Sequence, residues 1–366
     1  MANGPDHDLR QRFGDLARRW WPVIANQIDE EIDRATMKQS LLRRMAHYHL
    51  NTGGKRVRAI LPLLVAETLG TDPLRLVPFG AACEMLHNAS LVHDDIQDGD
   101  ILRRGQPAVW KEFGLAQAVN LGDAMIACAV LLMHRLEVKP ELRERIVHRM
   151  FLEVLRVIEG QVQDLDLKSR LDVTLEAHLR MVEGKTSRLF ALPLSGAAML
   201  CDAGDDVEQA LVEAASHIGV LYQVQDDLVD HFKAGACEAE GGDIHKGKLT
   251  VMAAHCINTV GAEKALWLKD VLHRLSETTD AADVVAVTTL YEEAGSIAFA
   301  LAELDRRRLA ALSVPGLTRH PSLITMLAEA CDMFLEPVRT LLSPAYAAAD
   351  ARRMRGDVPE LRLSSG

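Results

Sequence analysis

Two short acidic motifs with the same spacing are the residues of this sequence best suited to chemistry. Residues 94–98 read Asp-Asp-Ile-Gln-Asp and residues 226–230 read Asp-Asp-Leu-Val-Asp, each within an apolar stretch. On a helix, the outer aspartates of such a motif share one face and repel each other, so a cationic partner is expected. Carboxylate oxygens suit Mg²⁺, which typically joins one or two carboxylates to substrate phosphates. Two facing motifs therefore predict a socket for a diphosphate carried by several Mg²⁺ ions.

A solvated acidic helix face is the ordinary alternative for a single run of charge. Two copies with identical spacing, each flanked by apolar residues, favour a shared binding site instead. A calcium-binding loop does not fit, because neither motif continues into the glycine and the distal glutamate of an EF-hand.

Basic residues near predicted helix ends could bind the remaining oxygens of a diphosphate. Taken singly, each is more typical of a surface charge. Lys55 and Arg58 follow a Gly-Gly turn, and we expect them three residues apart on one helix face. Because the G-x-x-x-x-G-K-[ST] spacing is absent, this turn does not indicate a P-loop. The other candidates are Arg103, Arg104, Lys185 with its neighbour Thr186, Lys246 and Lys248.

The elements that carry these residues are predicted to be helices throughout. No segment shows sustained period-2 alternation, and glycine- or proline-containing breaks separate long periodic runs. The clearest helices fall near 75–98 and 205–233, and each places its aspartates on a polar face deep within the helix. Asp72-Pro73 and Asp202 are interpreted as helix N-terminal signals. We expect one all-α domain over residues 1–366, with loose ends at about 1–10 and 347–366.

Composition excludes several classes of protein. The net charge of −11 argues against a nucleic-acid partner. The sequence contains no run of 18 or more uncharged apolar residues, so no transmembrane helix is expected. The N-terminus lacks the apolar core of a secretory signal. The six cysteines are scattered without a C-x-x-C pair, which favours reduced, buried thiols and a cytoplasmic location.

Taken in order, these motifs resemble the trans-isoprenyl diphosphate synthases, the polyprenyl synthetase family, and among them most closely the geranylgeranyl diphosphate synthases. The similarity covers about residues 50–255 and is highly specific as a set. The stretches that carry it are 53–58, 84–91, 103–107, 160–164, 185–186, 222–230 and 243–250.

The resemblance implies a single large bundle of antiparallel helices around a central active-site cavity, usually as a homodimer. It implies Mg²⁺-dependent condensation of isopentenyl diphosphate with an allylic diphosphate (dimethylallyl, geranyl or farnesyl), with three Mg²⁺ ions in each active site. Ionisation of the allylic substrate expels diphosphate, and apolar walls must shield the cation from water. No protein nucleophile is required.

The resemblance also implies a role for each matching residue. The implied metal ligands are Asp94, Asp98 and Asp226, supported by Asp227 and Asp230. The allylic diphosphate would be held by Arg103, Lys185 and Lys248, and isopentenyl diphosphate by Lys55, Arg58, His87 and Arg104. Thr186 and Gln223 would lie beside the allylic cation, next to Tyr222. Asp95 belongs to the first catalytic motif, and Asp243 would hold a metal-bound water.

Several positions depart from the family pattern. A lysine is common four residues before the position of Asp243, where this chain has Ala239. Threonine and histidine usually follow the Arg-Arg-Gly-x-Pro motif, at the positions of Ala108 and Trp110. Tyr222 replaces a usual phenylalanine. These changes leave room for a specialised relative.

Two other functions share the same motifs. A class I terpene cyclase ionises the same substrates, but cyclases usually line the cavity with many aromatic rings, and this chain has only 16 aromatic residues. A regulatory subunit of a heteromeric synthase would be expected to lose one aspartate motif, and both are complete here.

Product length depends on the helix that carries the first motif. The growing chain should extend toward the N-terminus of that helix, past Ser90, Ala89 and Leu86, at 1.5 Å per residue. Ala89 and Ser90 are small, so the tunnel should continue beyond three isoprene units, although both could simply permit close helix packing. We expect a C20 product; a product of C25 or longer is the alternative, because Ala82 and Cys83 are also small.

Overall fold

The computed structural model describes residues 5–170, 172–234, 242–244, 246–273 and 281–353, and its backbone is almost entirely helical. This confirms the all-α prediction. The helices of the first half are α1 (Pro5–Ala35), α2 (Leu41–Leu50), α3 (Val57–Thr68), α4 (Val77–Gln97), α5 (Val109–Phe113), α6 (Leu115–Met133) and α7 (Pro140–Ser169), with a 3₁₀ turn at Pro73–Leu76.

The second half continues the same architecture and includes one π-helical turn, Glu183–Ser187, between α8 and α9. Its α-helices are α8 (Leu175–Val182), α9 (Arg188–Leu200), α10 (Asp205–Ala234), α11 (Val251–Thr259), α12 (Ala262–His273), α13 (Ala281–Glu293), α14 (Ser296–Leu312) and α15 (Pro321–Arg353), with a 3₁₀ turn at Pro315–Leu317.

A short β-hairpin departs from the prediction of helices throughout. Strands β1 (Leu102–Arg103) and β2 (Gln106–Pro107) pair antiparallel. Their two-residue turn has positive φ at both Arg104 (54°) and Gly105 (80°), as a tight hairpin turn requires. The Arg-Arg-Gly-Gln-Pro sequence is therefore a turn motif that fixes both arginines next to the end of α4.

One predicted N-terminal signal is confirmed and the other is wrong. Asp72 caps the 3₁₀ turn at residue 73 by accepting a hydrogen bond from the Leu74 N–H at 3.0 Å. Asp202 instead has φ 56°, a left-handed conformation typical of the residue after a helix end. It follows α9, and α10 begins only at Asp205.

The two helices that carry the aspartate motifs occupy the interior of the bundle. Helix α4 packs against α3 and α6, and α10 packs against α9, α14 and α15. Glycines allow the closest approaches: a Cβ on Gly80 would lie 2.4 Å from the carbonyl oxygen of Ala59, and one on Gly196 would lie 2.4 Å from the Phe79 ring. The buried apolar side chains form a cluster that spans these helices.

Helix α6 is unusually apolar for its length. Within the described residues, it alone among single helices is long and apolar enough to cross a membrane by length and composition, and α13 with α14 would qualify only as a pair bent by 62°. Helix α6 packs along α4, where the His93 ring nitrogen lies 3.6 Å from the Asp123 carboxylate, but much of its surface is exposed. This composition therefore fits a helix that packs on one side and presents an apolar surface on the other.

The predicted loose ends fall partly outside the described residues. Helical backbone is described from Pro5 and up to Arg353, while residues 1–4 and 354–366 are not described. Of the six cysteines, Cys83, Cys128, Cys256 and Cys331 are buried and Cys201 is half-buried, all as free thiols; Cys237 lies outside the described residues.

Candidate active site

The first aspartate motif occupies the C-terminal turn of α4, and its members have different surroundings. Asp98 caps the helix and accepts a hydrogen bond from the Lys168 ammonium of α7 at 2.7 Å. Asp95 is buried and forms an ion pair with Arg103 of the β-hairpin. The middle aspartate is thus turned away from the face shared by Asp94 and Asp98, as its helical offset requires.

Asp94 carries a poorly compensated charge. The closest cation described for it is the Lys185 ammonium, 4.0 Å from Oδ1. Burial raises the pKa of the Asp94 carboxyl to about 6, although Lys185 opposes this shift. A carboxylate held in this way favours an additional cation beside it.

The second motif lies on α10, as predicted, and its aspartates again differ in their surroundings. Part of the Asp226 side chain is exposed to solvent, but the protein atoms packed around its carboxyl displace water and raise its pKa. Asp227 is buried and accepts hydrogen bonds from Gln223 Nε2 at 2.9 Å and from the Val251 N–H at 3.1 Å. Asp230 accepts the Asp243 N–H at 2.6 Å, which ties α10 to the segment that follows it.

The π-helical turn joins the two motifs. It carries Lys185, whose ammonium lies near Asp94 and donates to Asp164 of α7 at 2.8 Å. The next residue, Thr186, donates its hydroxyl to the Gln223 carbonyl oxygen of α10 at 3.1 Å. Because the other end of the same amide donates to Asp227, a continuous chain of contacts runs from the first aspartate motif to the second.

Glycines hold this turn against its neighbours. A Cβ on Gly160 of α7 would lie 2.2 Å from the Lys185 backbone nitrogen, and one on Gly219 of α10 would lie 2.3 Å from Ser187. Both approaches are too close for any larger residue. The π-helical turn is therefore wedged between α7 and α10, which fixes where Lys185 and Thr186 lie.

The segment before α11 adds a lysine and an aspartate to the site. The Lys248 ammonium lies 3.1 Å from Asp243 and 3.4 Å from Asp227. Burial raises the pKa of Asp243 to about 7 despite the nearby Lys248. Lys246 binds Asp100 at 2.7 Å, which draws the segment toward the end of α4.

A second group of cationic and polar side chains lies N-terminal to the first motif. The Arg58 guanidinium lies 3.3 Å from the His87 ring nitrogen and stacks over Phe190, 4.5 Å from the ring centroid, and Tyr222, 5.5 Å away. Burial lowers the pKa of His87 well below its usual value, and Arg58 lowers it further. His87 is therefore neutral at pH 7 and offers one donor and one acceptor.

The Gly-Gly turn has a different geometry from that expected. Arg56 has φ 54° and ends the turn, and α3 begins only at Val57. Lys55 therefore does not share a helix face with Arg58, and this prediction is wrong. The charge of Lys55 nevertheless opposes the burial that raises the pKa of Asp226, so Lys55 lies near the second motif. Arg104 donates to the Gly53 carbonyl and joins the two turns.

The sequence analysis assigned no role to four further polar residues around the site. Lys168 donates a hydrogen bond to Asp98, and Asp164 accepts one from Lys185. His178 and Gln161 are buried, and neither ring nitrogen of His178 nor either amide atom of Gln161 has a hydrogen-bond partner within the described residues. The signal for Asp164 and Gln161 was present in the Gly-Gln-x-x-Asp motif at 160–164; a lone histidine at 178 gave none.

The departures from the family pattern have structural roles. Trp110 donates its indole N–H to the Asp100 carbonyl at 2.7 Å, and Ala108 is buried at the N-cap of α5. Trp110 thus secures the loop whose Asp100 binds Lys246. Ala239 lies outside the described residues.

The residues expected to control product length lie along α4. Leu86 and Ala89 are buried, and Ser90 is half-buried with its hydroxyl donating to the His87 carbonyl at 2.8 Å. These three residues lie where α4 packs against its neighbours inside the helical bundle.

The oxygen donors of the two motifs are of the kind that Mg²⁺ prefers. Across the described ranges, no three His, Cys, Asp or Glu side chains are placed to hold one ion. The donors are carboxylate oxygens, and burial raises the pKa of both Asp94 and Asp226. Mg²⁺ commonly binds one or two carboxylates and takes its other ligands from water and phosphate.

Comparison with known proteins agrees with this geometry. The family model described as Polyprenyl synthetase matches residues 39–290. The chain is 33% identical over 232 residues to a geranylgeranyl diphosphate synthase of Methanosarcina mazei, covering 62% of this chain and 72% of the relative. It is 33% identical over 316 residues to a (2E,6E)-farnesyl diphosphate synthase of Mycobacterium tuberculosis, covering 80% and 86%.

Solved structures share the fold. A geranylgeranyl pyrophosphate synthetase from Pyrococcus horikoshii superimposes with a TM-score of 0.75 at 27% identity, covering 87% of this chain and 98% of the other. The chain belongs to the polyprenyl synthetase family, and it is a trans-prenyltransferase of isoprenoid biosynthesis.

Proposed function

We propose that this protein condenses isopentenyl diphosphate with an allylic diphosphate, in a Mg²⁺-dependent reaction, to give an all-trans prenyl diphosphate. The observation that carries this proposal is the chain of contacts from Asp94 through Lys185, Thr186 and Gln223 to Asp227. It joins two acidic motifs through cationic and polar groups within one helical domain. A diphosphate between them would meet both metal ligands and hydrogen-bond donors.

Asp94, Asp98 and Asp226 would hold the Mg²⁺ ions, and the resemblance to the family suggests three. Bound Mg²⁺ supplies Lewis-acid stabilisation of the leaving diphosphate. Asp227 and Asp230 are already engaged by Val251 and Asp243, so they support the site mainly by positioning.

The allylic diphosphate would be bound by Arg103, Lys185 and Lys248. Carboxylates of Asp94 and Asp164 raise the pKa of Lys185 against the effect of burial, so its ammonium stays charged and can stabilise growing negative charge. The Gln223 side-chain nitrogen donates a hydrogen bond to Asp227. This contact orients the side-chain oxygen of Gln223 toward the Thr186 hydroxyl. That oxygen and the Thr186 hydroxyl would place partial negative charge beside the allylic cation.

Isopentenyl diphosphate would be bound on the other side, by Arg58, His87, Lys55 and Arg104. Arg58 is held by stacking on Phe190 and Tyr222, which orients its donors without neutralising its charge. Neutral His87 can donate a hydrogen bond to a phosphate oxygen. This second anion site distinguishes condensation from cyclisation, because a cyclase binds one diphosphate only.

We further propose geranylgeranyl diphosphate as the main product. Small side chains at Ala89 and Ser90 favour a tunnel that continues beyond three isoprene units, and relatives of similar identity are named geranylgeranyl diphosphate synthase and (2E,6E)-farnesyl diphosphate synthase. The allylic starter could be dimethylallyl, geranyl or farnesyl diphosphate.

We also propose that the protein is a cytoplasmic homodimer. Exposed apolar side chains form one stripe along α7, at Phe151, Leu155, Ile158, Val162 and Leu165. Their spacing of three to four residues places them on one helix face, and Leu115 and Val119 of α6 add to the exposed apolar surface. Such a patch is typical of a subunit interface. Leu155→Asp should yield a monomer by light scattering; an unchanged dimer would contradict this interface.

The proposed function is tested by removing metal ligands. Asp94→Ala, Asp98→Ala and Asp226→Ala should each abolish turnover of isopentenyl and farnesyl diphosphates while circular dichroism stays helical. Asp123→Ala, an exposed aspartate of α6, is the matched control and should keep wild-type turnover. Near wild-type turnover in any of the three site variants would refute the proposal.

A further inference from the structure

A cluster of charged side chains links helix α14 to the π-helical turn of the site. Arg307 of α14 is buried, and its Nε donates to the Glu303 carboxylate at 2.7 Å. Its Nη1 donates to the carboxylate of Glu183, the first residue of the π-helical turn, at 3.2 Å. Lys185 and Thr186 follow two and three residues later. One guanidinium therefore joins the turn that carries two proposed catalytic groups to a helix that carries no residue assigned to the site.

The guanidinium of Arg307 is held in place on α14 by its neighbours. Glu303 is buried one helical turn before it and also accepts a hydrogen bond from Arg306 at 2.7 Å. Burial opposes the charge of Glu303, but hydrogen bonds from the two arginines keep its pKa below the usual value, so it is ionised at pH 7. The His217 ring nitrogen of α10 lies 3.4 Å from Arg307 Nη1. Because a guanidinium is planar, these contacts fix the direction of the donor that reaches Glu183.

The π-helical turn is restrained differently along its length. Its far end is held by α10, because the Ser187 hydroxyl donates to the Ser216 carbonyl at 2.9 Å. Its middle is confined by Gly160 of α7. The Glu183 side chain at the near end is 38% exposed, so packing restrains it less. The hydrogen bond from Arg307 is therefore the contact that secures this end of the turn to α14.

The motifs that carry the family resemblance do not include this cluster. The family match ends at residue 290, and α14 begins at Ser296. Arg307 and Glu183 are 124 residues apart in the sequence, so only the folded chain brings them together. An ion pair with a partly exposed partner contributes little to stability. Its effect therefore lies in where it holds the turn.

We infer that Arg307 is a positioning residue for the active site: by holding Glu183, it fixes where the π-helical turn presents Lys185 and Thr186. The kinetic consequences of this inference rest on the proposed function, but the contact itself does not. Loss of the contact allows the near end of the turn to shift, and misplacement of catalytic groups by about 1 Å can lower kcat by about 100-fold. Lys185 and Thr186 are assigned to the allylic substrate, so binding of isopentenyl diphosphate should be unaffected.

The test compares two variants of the full-length protein that break this contact from either end. Glu183→Gln removes the charge of the partly exposed partner, and Arg307→Gln removes the guanidinium. Each should lower kcat about tenfold without changing KM for isopentenyl diphosphate, because a loosened turn holds the productive geometry less often. The double variant should lose no more than the worse single variant, because both changes remove the same interaction.

Arg306→Gln is the matched control for loss of charge around Glu303. Both hydrogen bonds described for Arg306 go to Glu303, so this variant should lower the melting temperature and keep wild-type kcat. Wild-type kcat in either Glu183→Gln or Arg307→Gln would overturn the inference. An equal loss of kcat in Arg306→Gln, or a loss of about 100-fold in the double variant, would also overturn it, since the effect would then be general or additive.

Amide hydrogen exchange without substrate separates failure of this inference from failure of the proposed reaction. Residues 183–187 should exchange about tenfold faster in Arg307→Gln than in the wild-type protein, the usual effect of losing one charge-assisted hydrogen bond. Arg306→Gln should leave their exchange unchanged. Unchanged exchange in Arg307→Gln would overturn the inference even if the wild-type protein condenses both substrates. A wild-type protein that makes no prenyl diphosphate would refute the proposed function, and faster exchange in Arg307→Gln would then still support the role of Arg307 in holding the turn.

Discussion

Replacing Gly160 by alanine should separate catalytic damage from loss of fold. The added Cβ would lie 2.2 Å from the Lys185 backbone nitrogen, while ordinary contact begins at 3.4 Å. Helix α7 and the π-helical turn must therefore move apart by about 1.2 Å. Overpacking of this kind costs about 1–3 kcal/mol of folding free energy.

The same displacement moves two proposed catalytic groups. Lys185 binds Asp164 at 2.8 Å and Thr186 binds Gln223 at 3.1 Å, and both contacts depend on where the turn lies. A misplacement of about 1 Å can lower kcat by about 100-fold. We therefore expect Gly160→Ala to lose about that factor while its melting temperature falls by only several degrees.

Two other glycines provide graded controls for this assay. A Cβ on Gly184 would meet Gly160 Cα at 3.1 Å, so Gly184→Ala should reduce kcat far less. A Cβ on Gly261 would meet nothing within 4 Å, so Gly261→Ala should leave kcat unchanged. Steady-state kinetics and thermal unfolding measure all three. Wild-type kcat and stability in Gly160→Ala would refute the wedged position of the π-helical turn.

Three further predictions follow from the charges and packing of the site. Without Mg²⁺, Asp94→Asn should stabilise the protein by up to about 3 kcal/mol above pH 7, because the pKa of Asp94 is raised to about 6. The gain should vanish below about pH 3, where the carboxyl is protonated in both the folded and the unfolded state; a pH-independent gain in urea unfolding would contradict this cause. Arg58→Ala should raise KM mainly for isopentenyl diphosphate, and Lys185→Ala should raise KM for the allylic substrate and lower kcat; equal effects on both would argue against two anion sites. Ala89→Phe should shorten the main product to C15, and an unaltered product in chromatography would place the tunnel elsewhere.

The sequence was sufficient to predict the helical fold and the helices that carry both motifs. Period-3.6 patterning and glycine or proline breaks are local features, and α10 extends over Asp205–Ala234 where a helix was predicted near 205–233. The hairpin at 102–107 was missed because each strand has only two residues, too few to show alternation.

The candidate site was harder to predict where it depends on long-range packing. The offset of Asp95 followed from helix geometry, but its burial against Arg103 depends on the hairpin. The role of Gly160 as the surface against which Lys185 rests requires two segments 25 residues apart to meet. The expected shared face of Lys55 and Arg58 failed because one left-handed residue, Arg56, delays the start of α3.

In the proposed reaction the two aspartate motifs act together to condense two diphosphate substrates. The most direct measurement incubates purified protein with Mg²⁺, labelled isopentenyl diphosphate and farnesyl diphosphate, and identifies the product by chromatography and mass spectrometry. We predict all-trans geranylgeranyl diphosphate from the wild-type protein and no product from Asp226→Ala or in EDTA. A cyclised hydrocarbon that incorporates no isopentenyl label, or elongation that persists in Asp226→Ala, would contradict the claim.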